Sequence, residues 1–207
     1  MLLINWGDQP AFPVAEGALA MLLTVLKQVI PQREAIQRGG WAPDCLEWRG
    51  SVRDLRIGVY GLGVIGRSFI DLVRPLQPRL SGFDPYLEDW PPDVRRMDNL
   101  DALFSSIEAV IITAALTDQT RGSVTAERLA RLPDGGKDFA EPGHPCRQWP
   151  KLLLTAHTVS RNPWNEKLYG ANRLDRLQRV GIDNLLRFAN GKPLQFTFDT
   201  ARYDRST

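Results

Sequence analysis

Gly61-Leu62-Gly63-Val64-Ile65-Gly66 and the acid Asp84 are the residues of this chain whose types and spacing could do chemistry. Glycines at the first, third and sixth positions suit a turn pressed against a pyrophosphate. The first permits a tight turn, the second leaves no side chain in the way, and the third lets a helix pack closely on a strand. A helix that starts there offers free N–H groups and the positive end of its dipole to phosphate oxygens. Asp84 follows Gly66 by 18 residues, near the offset of about 20 at which an acid ending the next strand accepts hydrogen bonds from ribose hydroxyls. A carboxylate there repels the 2′-phosphate of NADP, so NAD is the expected cofactor and Gly61, Leu62, Gly63, Val64, Ile65, Gly66 and Asp84 its expected contacts. Taken singly, the glycines would serve a tight turn in another α/β fold, and Asp84 would be a solvated strand-end acid. FAD or an S-adenosyl compound would use a similar cradle.

The flanking sequence supplies the elements such a cradle needs. Residues 55–60, with Ile57, Val59 and Tyr60, predict a short strand leading into the glycines. Residues 64–73 predict a helix that ends before Pro75, and residues 80–83 a second strand that ends at Asp84. Further on, 100–104 predict a short helix, 109–113 a buried strand, 125–131 a helix and 151–155 another strand. A long helix is expected over 164–190, stopped by Gly191-Lys192-Pro193. Near the start, Val14, Ala18, Met21, Leu22, Val25, Leu26 and Val29 recur at helical spacing between Pro13 and Pro31, which predicts one apolar helix serving the core or a subunit contact. Alternating strands and helices of these lengths imply an α/β fold, a Rossmann-type doubly wound parallel sheet with helices on both faces.

A chain of 207 residues with 43% hydrophobic and 24% charged residues is that of an ordinary globular protein. The formal charge of +2 comes from scattered basic residues, which argues against nucleic acid as a partner. No apolar run approaches the roughly 18 to 20 residues a membrane span needs, and no leader pattern opens the chain, so no membrane association and a cytoplasmic location are expected. Cys45 and Cys146 lie far apart, and neither they nor His144 and His157 fall into a metal-ligand pattern.

Several further segments occur in a telling order: Pro13-Val14-Ala15-Glu16-Gly17-Ala18-Leu19-Ala20, the glycine loop, Asp84-Pro85-Tyr86, Leu116-Thr117 with Thr120-Arg121-Gly122, Leu152-Leu153-Leu154-Thr155-Ala156-His157, Asn184-Leu185, and Gly191-Lys192-Pro193-Leu194. This ordered set resembles the D-isomer-specific 2-hydroxyacid dehydrogenases, with Ala115 and Ala156 standing where that family usually has proline. The resemblance implies hydride transfer between C2 of a 2-hydroxy or 2-keto acid and C4 of a nicotinamide. It implies His157 as the base, a role that suits imidazole. Glu141, in Phe139-Ala140-Glu141-Pro142, is the implied carboxylate partner that orients the ring, with Asp138 the alternative in an ungapped reading. Thr117 joins the cofactor contacts on the same ground, and a homodimer built partly through the helix at Pro13 is implied as well.

Three regions are expected: an interdomain or dimerisation helix region over 1–50, the NAD-binding domain over 51–160, and a C-terminal helix and tail over 161–207. Against the family pattern, the chain passes from Gly135-Gly136 directly to Lys137-Asp138, where a strand, a loop with the catalytic arginine, a helix and a further strand are expected. The arginine that would grip a substrate carboxylate has no counterpart at a matching position, and the family's other domain has none either. Little or no turnover by the chain alone is therefore expected. A catalytically silent module for NAD(H) binding or dimerisation is the alternative.

Overall fold

The computed structural model describes residues 3–4, 10–41, 50–132 and 176–198. Its centre is strand β2 (Arg56–Tyr60), whose first residue is exposed and whose other four are buried. A run buried on both faces is what an interior parallel strand requires. β2 leads into helix α3 (Val64–Val73) and a single 3-10 turn (Arg74–Leu76), and the chain returns as β3 (Arg79–Phe83). Then come the short β4 (Arg95–Arg96), helix α4 (Leu100–Ser106), β5 (Ala109–Ile112) and helix α5 (Ala126–Leu129).

These four strands form one parallel sheet in the order β4-β3-β2-β5. Ile57 pairs with Leu80 on one side and Ala109 on the other, and Tyr60 pairs with Phe83 and Ile112. The order runs outward from β2 in both directions. The gap beyond the C-terminal ends of β2 and β5 is therefore the topological switch point, where open sheets of this type take their ligands.

Helices cover both faces. On one, Ile57 and Val59 pack with Phe69, Ile70 and Val73 of α3 and with Ala15, Leu22 and Leu26 of helix α1 (Ala11–Leu26). On the other, Tyr60 packs with Leu100, Leu103 and Phe104 of α4, with Ile107, and with Leu129 of α5. Successive β2 residues point to opposite faces, so this one strand joins two cores.

The expected single helix over 13–30 is in fact two. α1 ends at Leu26, and α2 (Val29–Gln37) begins after Gln28, which adopts the left-handed conformation at φ 49°, leaving the two helix axes bent by 57°. Pro31 is the third residue of α2 and not a stop signal. In the first turn a proline forfeits no hydrogen bond, because those N–H groups have no intrahelical partner. The Gly50 N–H donates to the Leu26 carbonyl at 3.0 Å, and the Lys27 Nζ to the Gly50 carbonyl at 2.9 Å, which ties the end of α1 to the segment entering β2.

Three elements lay beyond the expected pattern: β4, and the antiparallel pair of β1 (Leu3–Ile4) with β6 (Thr197–Phe198). The described part of the long C-terminal helix is α6 (Arg176–Ala189), closed by Gly191 at φ 62° as its sequence predicts. Asn184 on α6 is buried, and its side-chain amide donates to and accepts from the backbone of Gln195, fastening the following segment to the helix. The strand expected over 151–155 lies outside the described residues. Among the described residues no single helix is long and apolar enough to cross a membrane.

Candidate functional site

The glycine loop leaves β2 at its C-terminal end and is held from both sides. The Gly61 N–H donates to the Phe83 carbonyl at 3.0 Å, and the Gly61 carbonyl accepts from Thr113 Oγ1 at 2.6 Å. Thr113 in turn donates its N–H to the Tyr60 carbonyl at 2.8 Å. The ends of β3 and β5 thus grip the loop between them. Gly61 has φ 89°, a conformation that favours glycine. A Cβ there would also lie 2.4 Å from the backbone nitrogen of Ala114. At Gly66 a Cβ would lie 2.2 Å from the Gly61 carbonyl oxygen, so the first turn of α3 lies directly against the turn out of β2.

Gly63 is different. Its φ is −67°, which any residue adopts, and a Cβ there would meet nothing within 4 Å. Nothing in the described protein requires a glycine at this position. The open space beside this bare backbone fits a ligand that comes up to it. Gly63 is also the N-cap of α3, and no side chain caps that helix start. By contrast, Asn99 caps α4 and Thr125 caps α5 with their own oxygens. The first N–H groups of α3 thus have no side-chain cap, as a phosphate-binding helix start would need.

Asp84, the first residue after β3, closes the arrangement. Its Oδ2 accepts from the Leu62 N–H at 2.8 Å and its Oδ1 from the Tyr86 N–H at 3.0 Å. Each carboxylate oxygen keeps a second lone pair, so the acid can still accept from ribose hydroxyls while the two amides fix its position. Leu62 is fully buried, and its carbonyl accepts from Arg67 Nε at 3.2 Å, while the other end of Arg67 reaches the Asp89 carbonyl at 2.6 Å. Arg67 thereby joins the loop to the segment beyond Asp84, a link with no mark in the sequence.

The opposite wall is the segment after β5, which starts at Ala114 against Gly61. Thr117 lies in a turn closed by Thr120. The Thr117 N–H donates to Thr120 Oγ1 at 2.7 Å, and that hydroxyl donates to the Ala115 carbonyl at 2.6 Å. Farther along, Ser123 Oγ lies 3.1 Å from the Tyr60 hydroxyl, and Arg128 donates to the Ser123 carbonyl. Arg128 also pairs with Asp101 at 2.9 Å, and Arg131 with the same acid at 2.8 Å. The Arg128 guanidinium, more than any other group, holds the Asp101 carboxyl below its ordinary value of 3.8. This cluster anchors the wall to α4.

The structure therefore brings Gly61, Leu62, Gly63, Val64, Ile65, Gly66 and Asp84 to one end of the sheet, with Thr117 on the segment that begins beside them. Val64 is exposed and Ile65 half-buried at the start of α3. His157, Glu141 and the alternative Asp138 lie outside the described residues, as do His144, Cys45 and Cys146. Thr113, Arg67, Ser123 and Gln119 were not singled out from the sequence. They act through contacts between distant segments, which spacing along the chain does not reveal.

The model of the family described as "D-isomer specific 2-hydroxyacid dehydrogenase, NAD binding domain" matches residues 19–137. A mitochondrial formate dehydrogenase 2 from Oryza sativa subsp. japonica is 29% identical over 206 residues, which cover 80% of this chain and 54% of that protein. The chain thus spans about half the length of this curated relative. Among solved structures, a 2-hydroxyacid dehydrogenase from Ketogulonicigenium vulgare Y25 superposes with a TM-score of 0.77 at 22% identity, covering 96% of this chain and 71% of that one. A D-isomer specific 2-hydroxyacid dehydrogenase from Xanthobacter autotrophicus Py2, in complex with NADPH and MES, gives 0.71 at 19% identity, covering 98% and 93%. Both structural likenesses speak to the fold.

Proposed function

We propose, from the premise that this chain belongs to the D-isomer specific 2-hydroxyacid dehydrogenase NAD-binding-domain family, that it serves hydride transfer between NAD(H) and a small 2-hydroxy or 2-keto acid. The observation that carries this reading is the joint between Leu62 and Asp84, which sets an acid for the ribose beside an uncapped helix start for the pyrophosphate. The bound cofactor supplies the hydride acceptor or donor at its nicotinamide. The chain's own residues bind and orient it. Gly63 leaves room for the pyrophosphate, the first N–H groups of α3 hold it, and Asp84 holds the ribose. Thr117 lines the wall after β5.

The choice of NAD over NADP rests on Asp84, whose charge opposes a 2′-phosphate. The Xanthobacter protein of like fold holds NADPH, so the fold by itself does not exclude a 2′-phosphate and the selection falls to the acid. His157 is the proposed base for the substrate hydroxyl, and Glu141, or Asp138, the carboxylate that fixes its tautomer. A homodimer is proposed as well, and the exposed Val29, Ile30 and Ile36 on α2 support it. The proposed regions are 1–50, 51–160 and 161–207, and the proposed location is the cytoplasm.

The chain is titrated with NADH and with NADPH, and then assayed for NADH oxidation with glyoxylate or pyruvate, alongside His157→Ala. The expected results are tighter binding of NADH than NADPH, and at most slow oxidation, which His157→Ala abolishes without loss of NADH binding. Equal binding of both cofactors would remove the role given to Asp84. One observation favours a second reading: the direct passage from Gly136 to Lys137, with no arginine where the family places one. Firm NADH binding with turnover indifferent to His157 would assign the chain to that reading, a silent NAD(H)-binding or dimerisation module.

A further inference from the structure

We propose that Tyr86 and Gln119 form a clasp across the adenosine end of the crevice, closed in the free protein, which sets cofactor affinity because it must part before the dinucleotide enters. The inference rests on the cofactor reading above and adds to it two residues that take no part in holding the phosphates or the ribose.

The Tyr86 hydroxyl donates to the Gln119 side-chain oxygen. Tyr86 belongs to the segment after β3 and Gln119 to the segment after β5, and in the sheet these two strands are separated by β2. Two strand spacings amount to about 9.5 Å. A bond between the two segments therefore passes over the end of β2, where the glycine loop emerges. Tyr86 is placed there by the acid itself, because its backbone N–H donates to Asp84 Oδ1 at 3.0 Å. Gln119 sits within the turn that Thr117 and Thr120 close. A dinucleotide with its pyrophosphate at Gly63 and its ribose at Asp84 has its adenine as the next group outward, between these same two segments. The clasp occupies that passage.

Tyr86 is 58% exposed, so water competes for its hydroxyl and the bond is easily exchanged. A closed clasp lowers the fraction of molecules ready to bind, and the apparent affinity falls by that fraction. Removing either partner therefore tightens binding, by about two- to fivefold for one exposed hydrogen bond.

The test uses the full chain carrying Tyr86→Phe, Gln119→Ala, or both, each checked by far-UV circular dichroism and titrated with NADH and with AMP. Each single variant is expected to bind both ligands about two- to fivefold more tightly, and the double variant no more tightly than either single one, since all three lose the same contact. Unchanged or weaker binding would overturn the clasp, as would additive gains in the double variant. If the unmodified chain bound neither ligand, the cofactor reading would fall and the clasp with it. Binding by the unmodified chain with no gain in the variants would remove the clasp alone.

Discussion

Two regions of the glycine loop differ in what surrounds them. On the inner side, Gly61 and Gly66 are walled in by backbone, by Ala114 and by each other. On the outer side, Gly63 faces open space with an ordinary φ. The same residue type answers two separate demands. The inner glycines let β2, α3 and the end of β5 approach closely, and a side chain there would push apart the strands that hold the loop. The outer glycine answers to a molecule that comes from solution. Fold and function can therefore be separated by substitution within six residues.

The largest expected effect comes from the inner side. Gly61→Ala adds a clash with the Ala114 backbone to an unfavourable φ. It should remove about 3 kcal/mol or more of stability, from strain and overpacking together. For a chain of this size that is a fall in Tm of roughly 6–12 °C. An unchanged thermal melt would show that the wall around Gly61 yields, and the contrast would lose its inner half.

Gly63→Val should lower Tm by only about 2–4 °C, the scale of a weakened helix N-cap, while lowering NADH affinity at least tenfold in a fluorescence titration. Retained affinity would mean that nothing approaches this backbone. Asp84→Asn comes next. The amide keeps one oxygen for a neighbouring N–H but loses the charge. NADH affinity should fall by roughly tenfold, on the scale of a lost charge-assisted hydrogen bond, and its lead over NADPH should narrow. An unaltered ratio of the two affinities would separate Asp84 from cofactor choice.

The smallest effect concerns the anchor of the outer wall. Asp101 is held below its ordinary value of 3.8 by Arg128. Its contribution is present above that ordinary value and is lost as pH falls through the depressed one. Asp101→Asn should therefore shrink the difference in Tm between pH 7 and pH 3. A difference as large as that of the unmodified chain would show that this pair does not hold the wall.

Much of the cradle can be read from residue order because its determinants are local. Residues 64–73 are bounded by Gly63 and by Pro75, and α3 has those bounds. Asp84 directly follows its strand as expected, since β3 is a short run with Leu80 and Gly82 buried that stops at Phe83. The break at Gln28 is different, because a single left-handed residue has no pattern, and Pro31 suits the start of a helix as well as the end of one. β4 consists of two exposed arginines, Arg95 and Arg96, with no alternation to mark a strand. The bonds from Tyr60 to Ser123, from Thr113 to Gly61 and from Tyr86 to Gln119 join residues 63, 52 and 33 positions apart. Only the assembled sheet makes them neighbours. For His157 and Glu141 the reading still rests on family resemblance.

The pairing of Leu3–Ile4 with Thr197–Phe198 brings together the first and last described segments of the fold. Its register joins the most distant positions of the described fold through only two residues on each side. Closing so long a loop carries a high entropic charge that two residue pairs scarcely offset. This buckle should form late in folding and open first on warming, while the sheet around β2 stays intact.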